Sequence, residues 1–364
     1  MGCANSKRTP QPLLDDGNQV APNDTKDLTI VWHEPLHLAT AICKMRGWRK
    51  SQEDMAVVFN ELAGANEALL CGVFDGHSGG NSSSYAAKNI FPSVVQTEAW
   101  KSENYEEALI EGFLTLDKNL RTIEPKDGTT AVCAVVTAEK IWVANCGDSR
   151  AILCRGGVAV SLSQDHKPDV YEESQRIYRA GGFVEYDSSP CPRVMAPNCY
   201  LAMATSRTLG DFHFKLNDKR PQDEQIVSPK PAVSLVSRSD LDQFIILASD
   251  GIWDVMKNQE LCDLLIAEAA LAEEDPKLRK EKQITSPNTS SPTSLSLLPT
   301  PSTGESRDRN SIVGRLAKAI LAHCFARGTM DNCSIIIVDM RGSEKVEGPP
   351  APPSSLTEEA APES

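Results

Sequence analysis

The feature that most constrains this chain is an apolar run of strand length that stops on an acid, and it occurs twice. Leu69-Leu70-Cys71-Gly72-Val73-Phe74 runs into Asp75-Gly76-His77, and Phe244-Ile245-Ile246-Leu247-Ala248-Ser249 runs into Asp250-Gly251. Short apolar runs bounded by turn residues read as buried strands. A sheet that buries such strands delivers the polar residues behind them to one end. Asp75 offers carboxylate oxygens to a hard metal ion, Gly76 lets a backbone carbonyl come close to the same ion, and His77 gives or takes a proton near neutral pH. Either stretch alone would read first as an Asp-Gly turn.

Further acids stand beside other strand-like runs. Leu36 to Met45 reads as the first strand of the domain. Gly47-Trp48-Arg49-Lys50-Ser51-Gln52-Glu53-Asp54 then leads into a strand over Met55–Asn60. Arg49 presents a planar donor fork suited to a phosphate dianion. A helix over Ser82–Ile90 follows, and then an amphipathic helix over Tyr105–Ile123, with Ala108, Leu109, Phe113, Leu116 and Leu120 at helical spacing. Asp127-Gly128-Thr129-Thr130 turns into a strand over Ala131–Thr137. Ile141–Cys146 ends in Gly147-Asp148-Ser149-Arg150, and Ala151–Cys154 joins Val158–Leu162 through Arg155-Gly156-Gly157. Short strands separated by turns indicate antiparallel sheet rather than βαβ units.

The segment Glu172–Ala180 is a short helix stopped by Gly181-Gly182. Pro190–Cys199, in which two of three prolines, Pro192 and Pro197, flank a few extended residues, reads as a surface excursion. Asn258–Leu271 is a helix. Residues 273–310 are dense in Ser, Thr and Pro after a basic start and read as a disordered insertion with Ser-Pro and Thr-Pro pairs available to phosphorylation. A helix over Ser311–Arg327 leads through Asp331-Asn332 into a last strand, Cys333–Val338.

Asp54, Asp75, Asp148, Asp250 and Asp331 thus all abut strands. Neighbouring strand ends lie together, so these carboxylates converge, and clustered carboxylates raise one another's pKa unless cations neutralise them. Oxygen ligands favour Mg²⁺ or Mn²⁺ over zinc. Two such ions about 3.5–4 Å apart activate a water and clamp a phosphoryl group. With Arg49 to hold phosphate and His77 to protonate a leaving oxygen, the residue types indicate metal-assisted phosphoester hydrolysis. The net charge of −13 argues against a phosphate-binding nucleic-acid surface, which needs clustered Lys and Arg. The eleven cysteines form no Cys-x-x-Cys pair, which indicates reduced thiols and an intracellular protein.

These stretches, in order, resemble the metal-dependent PPM-type protein serine/threonine phosphatases, the type 2C class. The resemblance rests on Gly47-Trp48-Arg49 with Glu53-Asp54, Phe74-Asp75-Gly76-His77, Gly128-Thr129-Thr130-Ala131-Val132 and Asn145-Cys146-Gly147-Asp148-Ser149-Arg150. It continues through Asp165-His166-Lys167-Pro168, Ser206-Arg207-Thr208-Leu209-Gly210-Asp211-Phe212, Asp250-Gly251-Ile252-Trp253-Asp254 and Asp331-Asn332-Cys333-Ser334. It covers about Leu36 to Met340. The resemblance implies an α+β fold: a sandwich of two antiparallel sheets with helices outside each, in α-β-β-α layers. It implies that Asp75 bridges two Mg²⁺ or Mn²⁺ ions, that Glu53 and the Gly76 carbonyl complete one site, and that Asp250 and Asp331 complete the other. Asp54 would act through metal-bound water, and Asp148 and Asp254, with Asp250, would form a weaker third site. Arg49 would bind substrate phosphate, His77 would be the general acid, and a hydroxide bridging the two ions would attack phosphoserine or phosphothreonine. Thr208 stands where the family often has alanine, and Pro190–Cys199 falls where members vary a flap. The alternatives are a non-catalytic binding module on the same fold and a phosphatase of small phosphoesters. A monomer is expected.

The amino terminus, Met1-Gly2-Cys3-Ala4-Asn5-Ser6-Lys7-Arg8, matches the acylation pattern with Gly2 for myristate and Cys3 for palmitate. Two acyl chains hold a membrane where one does so only marginally. The expected organisation is therefore an acylated flexible tail over 1–30, a phosphatase domain over 31–341 and a Pro/Glu-rich tail over 342–364. The expected location is the cytoplasmic face of a membrane, the plasma membrane first, with some cytosolic pool.

Overall fold

In a computed structural model of the chain, the described residues are 21–65, 67–186, 191–197, 199–274 and 304–342. Eleven strands build two sheets. The strands are β1 (Asp27–His33), β2 (Leu38–Met45), β3 (Met55–Phe59), β4 (Leu69–Phe74), β5 (Ala131–Val136) and β6 (Lys140–Cys146). They continue as β7 (Arg150–Arg155), β8 (Val158–Ser161), β9 (Ala232–Ser237), β10 (Asp242–Ala248) and β11 (Cys333–Asp339). One sheet has the order β1-β2-β11-β10-β7-β8 and the other β9-β6-β5-β4-β3, with every pair antiparallel.

Alternate side chains of each strand leave opposite faces of its sheet. Leu38, Ile42, Leu69, Val73, Val132, Ile245, Leu247 and Ile336 meet between the two sheets. Their neighbours face outward. Leu70, Phe74, Cys133 and Val135 pack under helices α1 (Asn81–Val95) and α2 (Tyr105–Arg121). Ala41, Cys43, Phe244, Ile246 and Ile337 pack under α4 (Asn258–Glu274) and α5 (Gly304–Ala326), with α3 (Tyr171–Arg179) beside the sandwich. The layers are helix, sheet, sheet, helix. Because both faces of the central strands are covered, these strands read as unbroken apolar runs instead of alternating ones. Helix α2 buries Leu109, Phe113, Leu116 and Leu120, the residues whose spacing marks it, and its cap Asn104 accepts a hydrogen bond from the Glu107 N–H.

Three expectations need correction, and one strand was not anticipated. The domain begins before residue 31 and before Leu36, because Asp27–His33 is an edge strand paired with β2 over its whole length. Leu28, Ile30, Val31 and Trp32 are apolar, but most of the strand is exposed or only half-buried, and it continues directly from a polar tail. Pro190–Cys199 is more than a surface excursion: Pro192–Met195 is the middle strand of a small sheet with Phe183–Tyr186 and Ala202–Met203, and Pro192 and Val194 are buried. The Ala232–Ser237 edge strand lies just past prolines that mask it. The 273–310 insertion is narrower than expected, since α4 runs to Glu274 and α5 starts at Gly304. Gly2, Cys3, the 342–364 tail beyond Gly342 and the core of the insertion lie outside the described residues. Among the described residues, no helix is long and apolar enough to cross a membrane.

Candidate active site

The acids gather where strands of both sheets end. Asp75 follows β4, Asp148 lies between β6 and β7, Asp250 follows β10, Asp331 precedes β11, and Glu53 and Asp54 precede β3. The two Asp-Gly pairs are not hairpin turns. Neither Gly76 nor Gly251 has positive φ. Each is glycine because another acid-bearing segment passes against it: a Cβ on Gly76 would stand 2.4 Å from the Glu53 carbonyl oxygen, and one on Gly251 would stand 2.1 Å from that of Asn332. The first glycine thus lets the Glu53 segment approach Asp75, and the second lets Asp331-Asn332 approach Asp250. Asn332 completes the join. Its Oδ1 accepts from the Glu53 N–H (2.9 Å), and its Nδ2 donates to the carbonyls of Arg46 (2.8 Å) and Ser51 (3.0 Å).

The electrostatics follow from this crowding. Burial raises the Asp75 carboxyl well above the ordinary carboxylate range, and Asp250, Asp54, Asp331 and Asp148 raise it further. Asp250 is raised in the same way, by burial and then by Asp148, Asp331 and Asp254. Burial pushes Asp54 up to about 6, against the hydrogen bond it accepts from the Ser249 hydroxyl (2.9 Å). Asp254 faces Asp148 and Lys167 from the exposed rim. Two cations already touch the acids: Arg49 is ion-paired with Asp331, and Lys167 with Asp148. Burial disfavours the Lys167 ammonium, yet Asp148, Asp250 and Asp165 raise its pKa above the ordinary lysine value.

Among the described residues, no three acidic, histidine or cysteine side chains stand close enough to form a finished metal cage. The chemistry of the cluster nevertheless fits a hard divalent cation. The donors are all oxygen, the carboxylates disfavour one another's ionisation, and the buried Oδ1 of Asp250 has no hydrogen-bond partner among the described residues.

His77 stands at the rim on a small three-stranded sheet. Gly76-His77 pairs with Gly128-Thr129, which pairs on its other side with Leu209-Gly210. That sheet brings Asp211 to the ring: His77 Nε2 lies 2.8 Å from Asp211 Oδ2. Burial works against charge on His77, but Asp211 outweighs it and raises the pKa; reciprocally, His77 holds the buried Asp211 below the ordinary range.

Asp54, Asp75, Asp148, Asp250, Asp254 and Asp331 thus influence one another's charge, the Glu53 backbone passes against Gly76, and Arg49, exposed at the mouth, bonds Asp331. Asp211, Asn332, Ser249 and Lys167 complete the site without having been singled out for a role. Asp211 and Asn332 sit inside the motif stretches, beside a glycine and an acid, but nothing in residue type alone says that they hold His77 and Glu53.

A family model for "Protein phosphatase 2C" matches residues 38–285. The chain is 40% identical over 245 residues to a probable protein phosphatase 2C of Caenorhabditis elegans, a match covering 66% of each chain. It is 35% identical over 243 residues to protein phosphatase 1A of Homo sapiens, covering 63% of this chain and 61% of that one. The matched stretch thus spans about two thirds or less of these relatives' own lengths. Among solved structures, a phosphatase from Toxoplasma gondii superposes with a TM-score of 0.67 at 22% identity, covering 89% of this chain and 98% of that one. A serine-threonine phosphatase 2C from the same organism gives 0.62 at 21% identity, covering 86% and 99%. With its two antiparallel sheets, outer helices and acidic cluster at the strand ends, the chain belongs to the protein phosphatase 2C family.

Proposed function

We propose that this protein is a metal-dependent protein serine/threonine phosphatase. The observation that carries the reading is the cluster of Asp75, Asp250 and Asp54, whose mutual repulsion calls for cations, with His77 held at its rim. Glu53, Asp75 and the Gly76 carbonyl would hold one Mg²⁺ or Mn²⁺, and Asp75, Asp250 and Asp331 a second, with Asp54 acting through water. Asp148, Asp250 and Asp254 would hold a weaker third ion in competition with Lys167. When bound, such ions lower the pKa of water and neutralise phosphoryl charge. Arg49 offers its fork to the phosphate dianion at the mouth once it exchanges Asp331 for substrate. His77, whose protonated form Asp211 favours, would give its proton to the seryl or threonyl oxygen as the ester bond breaks.

The test is phosphate release from a phosphothreonine peptide with Mn²⁺, with Mg²⁺ and with EDTA. Release in either metal and none in EDTA supports the reading; no release from folded protein in any metal favours a binding module on the same fold.

We further propose that Gly2 and Cys3 carry acyl chains that hold the enzyme on the cytoplasmic face of a membrane. The support is the sequence pattern with Ser6, Lys7 and Arg8. Gly2→Ala should move the protein from the membrane fraction to the cytosol, and an unchanged distribution would refute the anchor.

A further inference from the structure

Thr208 makes a contact that the reaction scheme above does not use. Its Oγ1 donates to Asp211 Oδ2 at 2.6 Å, and this is the same oxygen that faces His77 Nε2 at 2.8 Å. We propose that Thr208 is a positioning residue for proton transfer to the leaving group, acting through Asp211 on the orientation of the His77 ring. The inference rests on the reading of His77 as general acid.

Thr208 is fully buried and its backbone is held from both sides. Its N–H donates to the Ser228 carbonyl (3.1 Å), and its carbonyl accepts from Lys215 Nζ (2.8 Å). Lys215 is itself fixed by Asp117 at 2.7 Å. The hydroxyl is therefore aimed by a rigid frame, and not by a loop that follows the substrate. The Asp211 carboxylate needs such aim. Asp211 has a left-handed backbone (φ 49), which non-glycine residues rarely adopt, and its N–H has only a long bond to the Asp127 carbonyl (3.3 Å). With Nε2 turned to Asp211, Nδ1 is the ring nitrogen left to meet an ester oxygen.

In hydrolysis a water oxygen forms a new bond to phosphorus and gives up a proton to solvent while the P–O ester bond breaks; the electron pair of that bond stays on the threonyl oxygen, a proton from His77 neutralises it, and solvent reprotonates the ring. Loss of the aiming hydroxyl should harm this step most where the leaving group is a poor one. p-Nitrophenolate departs as a stable anion and needs no proton, whereas a threonyl alkoxide does. The distinguishing experiment compares kcat on a phosphothreonine peptide and on p-nitrophenyl phosphate, in Mn²⁺, for wild type, Thr208→Val and Thr208→Ser. Valine keeps the shape without the hydroxyl; serine keeps the hydroxyl.

Thr208→Val is expected to lower peptide turnover by about three- to tenfold and p-nitrophenyl phosphate turnover by clearly less, since general-acid assistance is worth roughly 10²–10⁴ in full and only its alignment is impaired. Thr208→Ser should restore the wild-type ratio of the two rates. Equal losses on both substrates, or no loss on the peptide, would overturn the positioning role while the phosphatase reading stands. A serine variant whose ratio matches that of valine would overturn it too. Failure of the wild type on both substrates would instead overturn the phosphatase reading, and the positioning role with it.

Discussion

Gly128 decides how near Asp211 can stand to His77. A Cβ there would lie 1.9 Å from Asp211 Oδ2 and 2.6 Å from Oδ1, and Gly128 is also the ladder partner of His77. Gly128→Ala must therefore push the carboxylate off the ring, and phosphothreonine turnover should fall by about tenfold or more while the protein stays folded by circular dichroism. A second residue-scale consequence concerns acid stability. Glu173 is buried between Arg176 (2.6 Å) and Arg207 and accepts from Ser206 Oγ (2.5 Å). Burial opposes its charge, but Arg207 and Arg176 outweigh it and lower its pKa from the ordinary 4.5 to about 2. Its folded pKa is depressed, so its contribution is present above 4.5 and is lost as pH falls toward 2. Glu173→Gln should lower Tm at neutral pH and flatten the fall of Tm across that window, as followed by thermal melts. At this scale the sequence was legible where an acid ends an apolar run. It was not legible for Asp211 or Asn332, because a hydrogen-bond partner is chosen by packing between distant segments and leaves no mark in spacing.

The elements explain how the rim is held. Asp117 lies on α2, and its Oδ1 accepts from both Lys215 Nζ (2.7 Å) and the Gly210 N–H (2.9 Å), tying the helix to the strand end beside His77. Both side chains of the pair are 2% exposed. Lys215→Met would strand a buried carboxylate, and urea unfolding should show a loss of about 3–5 kcal/mol. Asp117→Leu/Lys215→Met, which removes both charges, should recover much of that. The helices were legible from their 3.6-residue pattern, α2 almost to the residue. The edge strands Asp27–His33 and Ala232–Ser237 were not: the first runs straight out of a polar tail and is mostly exposed or half-buried despite its apolar Leu28, Ile30, Val31 and Trp32, and the second follows Pro229 and Pro231, which an edge tolerates.

The whole molecule is two sheets sharing one inner core, each roofed by helices, and that arrangement makes the cluster of carboxylates tolerable. Stability is stored in the layers and spent at the strand ends, where Asp75 and Asp250 face one another. Ile336, fully buried between the sheets, belongs to the first part: Ile336→Ala should cost about 2–5 kcal/mol in urea unfolding. Asp75 belongs to the second, and replacing it with asparagine in metal-free protein should leave Tm equal to or above that of wild type, since a like charge is removed. The layer order could not be derived from residue spacing alone, which indicated antiparallel sheet; the pairing of β2 with β11, nearly 300 residues apart in sequence, is a tertiary fact.

The measurement that bears most directly on the metal-centred phosphatase is turnover of a phosphothreonine peptide in Mn²⁺ by wild type and by Asp75→Asn, with Tm of each recorded with and without Mn²⁺. Wild type should release phosphate and melt higher with Mn²⁺. The variant should stay folded, lose the Mn²⁺-dependent rise in Tm and lose turnover by roughly 10³-fold or more. A folded Asp75→Asn protein that hydrolyses the peptide at the wild-type rate would contradict the assignment of the acidic cluster as the catalytic metal centre.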